Sequence, residues 1–320
     1  MTLVTRVALL DDYQNIAMRS ADWRRLPADV EVVPFHDHVG DLDALAGRLA
    51  DFEAVVAMRE RTPFRRDLLS RLPQLKLLVT TGMRNASIDA AAAREQGVVV
   101  CGTGGVGAPT VDLTWGLILA LVRQIPVEDR AIREGAWQVS IGPGLEGKTL
   151  GVIGLGNLGA RVATVGQAFG MEVLAWSQNL SAERAAAAGA RLTGKEELLS
   201  RADVVTIHLV LSERSRGLIG ASELALMKAS AYLVNTSRGP IVDEAALIAC
   251  LREGRIAGAG LDVFDAEPLP AAHPLRGFAN TVVTPHVGYV TLDNYRRYYD
   301  DAIEDILAFL AGAPVRVLGG

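Results

Sequence analysis

Lys148-Thr149-Leu150-Gly151-Val152-Ile153-Gly154-Leu155-Gly156-Asn157-Leu158-Gly159 is the stretch that decides the fold. Leu150 to Ile153 is an apolar run of strand type. Glycines follow in G-x-G-x-x-G spacing, and Leu158, Val162, Val165, Ala168 and Phe169 then recur at helical intervals. In a strand–turn–helix unit each glycine has a task. Gly154 permits the tight turn, Gly156 lets the backbone approach a pyrophosphate, and Gly159 lets helix pack closely on strand. The helix start then offers free N–H groups and a positive dipole end to the phosphates. Alone the spacing marks only a glycine turn; between a strand and a helix it points to a dinucleotide.

The rest of the chain has the composition of an α/β protein. Half of the 320 residues are hydrophobic and only 5% are aromatic, so small aliphatic residues must do the packing. The length fits about two domains. A net charge of −5 without a long basic run argues against nucleic acid as a partner. Cys101 and Cys250 stand far apart. They form neither a disulfide framework nor a cysteine-rich metal site, which fits a reducing compartment. Each reads as a small buried hydrophobe. Met1 to Leu10 has no signal-peptide core, and the apolar run around Trp115 to Val122 is too short to span a bilayer. The expectation is a cytoplasmic protein with no membrane contact.

Read in order, strands are expected at 6–10, 30–35, 54–58, 76–80 and 98–101, with helices at 42–49, 65–72 and 88–95 between them. Gly102 to Pro109 reads as a hinge. A helix opens at Pro109, runs to Val122, breaks near Pro126 and resumes over 130–137; its first part is apolar on nearly all faces, as a buried helix is. Beyond the glycine motif come strands at 172–176, 204–207, 232–235, 257–261 and 282–284, helices at 182–188, 222–228 and 244–252, and an amphipathic last helix at 293–310. Strands alternating with helices predict parallel sheets. The expected architecture is two doubly wound α/β domains, a Rossmann-type cofactor domain and a flavodoxin-like substrate domain, with a cleft between. His36-Asp37-His38 lacks a third ligand nearby and reads as an ordinary loop, so no metal is expected.

Ligands of open parallel sheets bind beyond the carboxyl ends of the strands. In the first hundred residues those ends carry Arg59-Glu60-Arg61 and Thr81-Gly82-Met83-Arg84-Asn85. Farther on, three stretches put ionisable groups directly after apolar strands: Asn235-Thr236-Ser237-Arg238-Gly239, Leu261-Asp262-Val263-Phe264-Asp265-Ala266-Glu267 and Thr284-Pro285-His286-Val287-Gly288. One guanidinium, one carboxylate and one imidazole suit hydride transfer to a 2-oxo acid. Arg238 can hold a planar carboxylate by paired hydrogen bonds. His286 can donate a proton to the carbonyl oxygen as hydride arrives at carbon. Glu267 beside the imidazole would orient it and favour its protonated form.

The motifs GKTLGVIGLGNLG, NTSRGPIVDEAAL, AGAGLDVFDAEPL and TPHVG, in this order between Lys148 and Gly288, resemble the D-isomer-specific 2-hydroxyacid dehydrogenase family. The first hundred residues match it mainly in strand rhythm and in Leu75-Lys76-Leu77-Leu78. The resemblance implies catalytic roles for Arg238, Glu267 and His286. It implies a nicotinamide cofactor, NAD(H) or NADP(H), with Asn157 and Leu158 near the pyrophosphate and Asp262 near the carboxamide. Ser177 and Thr236, at the ends of their strands, complete the expected cofactor set. It also implies a discontinuous substrate domain, 1–104 with 289–320, around a cofactor domain at 105–288, and a homodimer formed through the latter.

Two departures from the family pattern bear on specificity. The substrate loop, usually Gly-x-Gly, is Gly82-Met83-Arg84. Arg84, with Arg59 and Arg61 on the neighbouring loop, would favour anionic 2-oxo acids with a polar distal group. Ser177 stands where an acidic residue usually binds the adenosine ribose, which tilts the expectation slightly to NADP(H). Val210, in His208-Leu209-Val210-Leu211, replaces a frequent proline and is assigned no role. The expected activity is an oxidoreductase interconverting small 2-oxo acids and D-2-hydroxy acids. The competing expectation is a non-catalytic, corepressor-like dinucleotide sensor.

Overall fold

The computed structural model describes residues 5–319, so Met1 to Val4 of the first stretch read above lie outside it. The chain forms two compact units, divided at 106/107 and 289/290 rather than at the 104/105 and 288/289 read from sequence.

The first unit holds β1 (Arg6–Leu9), β2 (Glu31–Pro34), β3 (Ala54–Ala57), β4 (Leu77–Thr80) and β5 (Val99–Gly102) in the order β2-β1-β3-β4-β5. Every pair is parallel. β3 and β4 are buried along their whole length, which is why they read as unbroken apolar runs. Helices start where a side chain can cap them: Asp41 accepts from the Ala44 amide and Asp89 from that of Ala92. The helix Leu292–Leu310 belongs to this unit, and its Tyr299 stacks on Tyr295 and meets Trp23.

The second unit holds β6 (Thr149–Ile153), β7 (Glu172–Trp176), β8 (Arg191–Leu192), β9 (Val204–Ile207), β10 (Tyr232–Asn235), β11 (Gly258–Leu261) and β12 (Thr281–Val283). Their order is β12-β11-β10-β9-β6-β7-β8, so the winding reverses between β6 and β9. This is the Rossmann order, and that of the first unit is flavodoxin-like. The helix Ala108–Val122 packs Val111, Trp115, Ile118 and Val122 into the core of the second unit.

Some elements differ from the sequence reading. The helix expected over 130–137 spans Ile125–Arg133, because Gln124 in the left-handed region makes the break and Pro126 sits in the first turn of the next helix. The expected helix over 65–72 is regular only at Arg66–Leu69. The short helix Ala17–Ser20, the two-residue β8 and the helix Lys195–Arg201 have no counterpart among the elements expected from sequence. Among the described residues no single helix is long and apolar enough to cross a membrane; Ala108–Val122 and Ile125–Arg133 pass that test only as a pair bent by 63°.

Asp305, fully buried on the last helix, accepts a 3.0 Å hydrogen bond from Arg316 Nε. Burial pushes its carboxyl up to about 7, against the opposing pull of Arg316. The folded chain therefore keeps a proton that the unfolded chain releases in the ordinary carboxylate range. Stability from the protonated form is full below that range and is lost as pH rises to about 7. Asp305→Asn cannot ionise. Its urea midpoint should rise relative to the parent across that interval and keep a constant offset above it; parallel curves throughout would contradict this assignment.

Candidate active site

At the β6/β9 reversal the glycine turn is shaped by close approaches. Gly154 has φ +100°, and a Cβ there would lie 2.6 Å from the His208 carbonyl oxygen. A Cβ on Gly159 would lie 2.1 Å from the Gly154 carbonyl oxygen, so only glycine lets the helix Asn157–Ala168 start so near the strand end. Gly156 is different: among the described residues, its own chain neighbours aside, no atom lies within 4 Å of where its Cβ would be, and no side chain caps the helix behind it. Asn157 is exposed and Leu158 half-buried in the first turn. An uncapped helix start above an open glycine is a cradle that fits a pyrophosphate. Ser177, at the end of β7, uses its hydroxyl to accept from the Leu155 amide at 3.0 Å, tying the second strand end to the glycine turn. His208, after β9, pairs Nε2 with the Thr206 hydroxyl at 2.9 Å, and burial pulls it down to about 4, so it is neutral at pH 7. Sequence reasoning gave His208 no role; its backbone forms one wall of the turn.

β10, β11 and β12 are neighbours, and their ends carry the three reactive groups. Arg238 is half-buried after β10, where Asn235 Nδ2 holds its carbonyl at 2.9 Å. A Cβ on Gly239 would lie 2.1 Å from the Phe264 carbonyl carbon, so glycine lets the Arg238 turn abut the loop that carries Glu267. Glu267 Oε1 accepts from the Phe264 amide at 2.9 Å, and Oε2 lies 2.6 Å from His286 Nδ1. With a carboxylate as acceptor, Nδ1 carries the hydrogen and Nε2 is the end left for chemistry. The His286 backbone is left-handed, φ +54°, which a histidine adopts only when its surroundings hold it there.

Asp262, almost fully buried at the end of β11, is what holds it. Its Oδ1 accepts from the Thr284 hydroxyl at 2.6 Å and the Val287 amide at 2.8 Å, and its Oδ2 from the Gly288 amide at 2.8 Å. Burial raises the Asp262 carboxyl, while these three donors favour its charged form. The ring of Tyr289 meets the imidazole edge-on at 5.6 Å. Thr236 is buried and pairs its hydroxyl with that of Thr114 at 2.9 Å.

In the first unit the Gly82 turn follows β4. Gly82 has φ +96° and donates its amide to the Thr103 hydroxyl at 2.8 Å. Arg59 lies against it: a Cβ on Gly82 would sit 1.9 Å from the guanidinium, whose NH1 donates to the Thr81 carbonyl at 3.1 Å. The amides of Met83 and Arg84 find no acceptor among the described residues, and both side chains are exposed. His36 and His38 bond the Asp12 carbonyl and the Asp11 carboxylate. No group of His, Cys, Asp and Glu side chains suited to a metal ion occurs among the described residues.

Residues 115–288 match the family profile described as D-isomer specific 2-hydroxyacid dehydrogenase, NAD binding domain. The chain is 42% identical over 256 residues to a glyoxylate reductase of Aeropyrum pernix, covering 77% of this chain and 76% of that protein. It is 34% identical over 298 residues to a D-3-phosphoglycerate dehydrogenase of Methanocaldococcus jannaschii, covering 89% of this chain and 56% of that longer protein. The crystal structure of a phosphoglycerate oxidoreductase from Vibrio cholerae o395 superposes with a TM-score of 0.92 at 36% identity, covering 97% of this chain and 100% of that one. The chain belongs to the D-isomer specific 2-hydroxyacid dehydrogenase family.

Proposed function

We propose that this chain is an NAD(P)-dependent oxidoreductase that interconverts small 2-oxo acids and D-2-hydroxy acids, with Arg238, Glu267 and His286 as its catalytic set. The observation that carries the reading is the 2.6 Å Glu267–His286 hydrogen bond, one strand end away from Arg238 and in the same unit as the glycine cradle. The dinucleotide, when bound, supplies or accepts the hydride. Gly154, Gly156, Asn157, Leu158 and Gly159 would hold its pyrophosphate, with Ser177, Thr236 and Asp262 along its length. Arg238 binds the substrate carboxylate; in the first unit Arg59 and, beside Gly82, the bare amides of Met83 and Arg84 offer donors of the kind a substrate carboxylate takes. His286 Nε2 gives its proton to the carbonyl oxygen in reduction and removes the hydroxyl proton in oxidation. Glu267 keeps the ring in that tautomer and orientation. The glyoxylate reductase relative supports a short 2-oxo acid as substrate.

No carboxylate stands at the end of β7 to repel a 2′-phosphate, and Gln178 and Asn179 offer donors there; we therefore favour NADP(H) over NAD(H) by a small margin. A second copy of this chain is the partner proposed for the helix Ile125–Arg133 and the segment after it. Ile125, Ile132, Trp137, Val139 and Ile141 are all more than half exposed there. Arg123 stands with Glu128 and Asp129 around the same groove, so both signs of charge are present for a two-fold contact. Sedimentation velocity should show twice the chain mass in the parent and a monomer for Trp137→Asp; a monomeric parent would remove the proposal.

A panel of 2-oxo acids assayed with NADH and NADPH tests the activity, with two variants that separate its parts. Gly156→Ala places a methyl where no protein atom stands, at a negative φ. It should keep the parental urea midpoint and weaken dinucleotide binding about tenfold or more. His286→Gln should do the reverse, keeping dinucleotide affinity while kcat falls about a hundredfold to ten-thousandfold. Dinucleotide binding with no turnover of any acid would turn the assignment to a sensor, and near-parental kcat in His286→Gln would remove the role of the imidazole.

A further inference from the structure

We propose that the segment Arg316 to Leu318 is a positioning element for the Gly82–Met83 turn, and that Arg316 clamps it in place. The inference rests on reading that turn as part of the substrate-carboxylate site.

β5 is the edge strand of its sheet, and this segment closes it. The Gly102 amide donates to the Arg316 carbonyl at 3.0 Å, the Leu318 amide donates to the Val100 carbonyl at 2.8 Å, and Cys101 pairs with Val317 in antiparallel fashion. Closing an edge needs no arginine. Yet Arg316 has a left-handed backbone, φ +51°, and its side chain turns back onto the helix Leu292–Leu310. There Nε donates to Asp305 at 3.0 Å, NH1 to Glu304 at 3.1 Å and NH2 to the Asp301 carbonyl at 2.7 Å. Asp305 Oδ2 is buried without a hydrogen-bond partner among the described residues, so the bond from Arg316 Nε is what holds this side chain, and Arg316 becomes its counter-charge once the carboxyl ionises. Asp301 accepts from the Gly104 amide at 2.7 Å, so the same helix also fixes the exit of β5.

Position passes from the clamp to the turn through Gly102. A Cβ there would lie 3.1 Å from Leu318 Cδ1, 2.8 Å from the Gly82 carbonyl oxygen and 3.2 Å from Met83 Cα. With no side chain on Gly102, Leu318 and the Gly82–Met83 backbone both close on the space its Cβ would fill. Thr103, one residue on, accepts the Gly82 amide at 2.8 Å and donates its own amide to the Thr80 carbonyl at 3.0 Å. Arg59 bears on Gly82 as well. The turn that presents the bare Met83 and Arg84 amides is therefore wedged, and releasing Arg316 frees Leu318 to withdraw.

The test compares Arg316→Ala, Arg316→Lys and Leu318→Ala with the parent by amide hydrogen exchange at Gly82 and Gly102, KM and kcat for glyoxylate, and Kd for NADPH. In Arg316→Ala and Leu318→Ala the Gly82 amide should exchange about tenfold faster. KM should rise about tenfold in both, with kcat and Kd within about twofold of the parent. Arg316→Lys, which keeps the charge without the planar fork, should fall between. Faster exchange at Gly102 with unchanged exchange at Gly82 and a parental KM would reduce the segment to an edge cover and overturn the proposal. Joint losses in kcat, KM and Kd would overturn it too, as general destabilisation. The exchange arm needs no turnover: if the parent reduces no 2-oxo acid, the functional reading falls, and Gly82 exchange still decides whether the clamp reaches the turn.

Discussion

Asp262 is the constraint on which the candidate active site depends. A buried carboxylate is tolerated only when its oxygens are met by donors. Here the donors are the Thr284 hydroxyl and the Val287 and Gly288 amides, which bracket His286 in sequence. Satisfying Asp262 therefore bends the chain after β12 into one shape, and His286 takes a left-handed backbone as a consequence. The bend delivers Nδ1 to Glu267 at 2.6 Å, and Glu267 is itself fixed by the Phe264 amide two residues beyond Asp262. The imidazole is thus oriented by two carboxylates, one on its ring and one on its backbone, both from the loop that follows β11.

A second constraint is steric. Several turns at the strand ends approach more closely than any side chain permits: Gly154 on His208, Gly159 on Gly154, Gly239 on Phe264, and Gly82 on Arg59. All but the approach of Gly159 to Gly154, which lies within one turn, bring one loop against the next, so neighbouring loops at the strand ends fix one another. Gly156, between Gly154 and Gly159 in the same turn, instead has empty space where its side chain would be. That contrast separates a glycine required by the protein's own packing from one that leaves room for a ligand.

Much of this was legible from the residues. Apolar strand runs and the G-x-G-x-x-G turn define the two sheets, because strands buried on both faces read as continuous hydrophobic stretches. Arg238, Glu267 and His286 are legible as candidates because the stretches that carry them each follow such a run. The helix Lys195–Arg201 was not legible: only Leu198 and Leu199 are buried in it, and Gly194 gives it no side-chain cap. Pro126 reads in the sequence as a break within a helix, whereas it opens one. The hold of Asp262 on the His286 turn, the packing of Arg59 on Gly82 and the approach of the His208 backbone to Gly154 join loops from different strands, and no local pattern encodes such meetings.

In the proposed reaction a hydride passes to or from C2 of a D-2-hydroxy acid while His286 moves the proton. The most direct measurement is a reduction of pyruvate with nicotinamide cofactor deuterated at C4 on the transferred face, followed by NMR and chiral analysis of the product. Deuterium at C2 of D-lactate is the expected result. Formation of L-lactate, or of lactate without deuterium at C2, would contradict it.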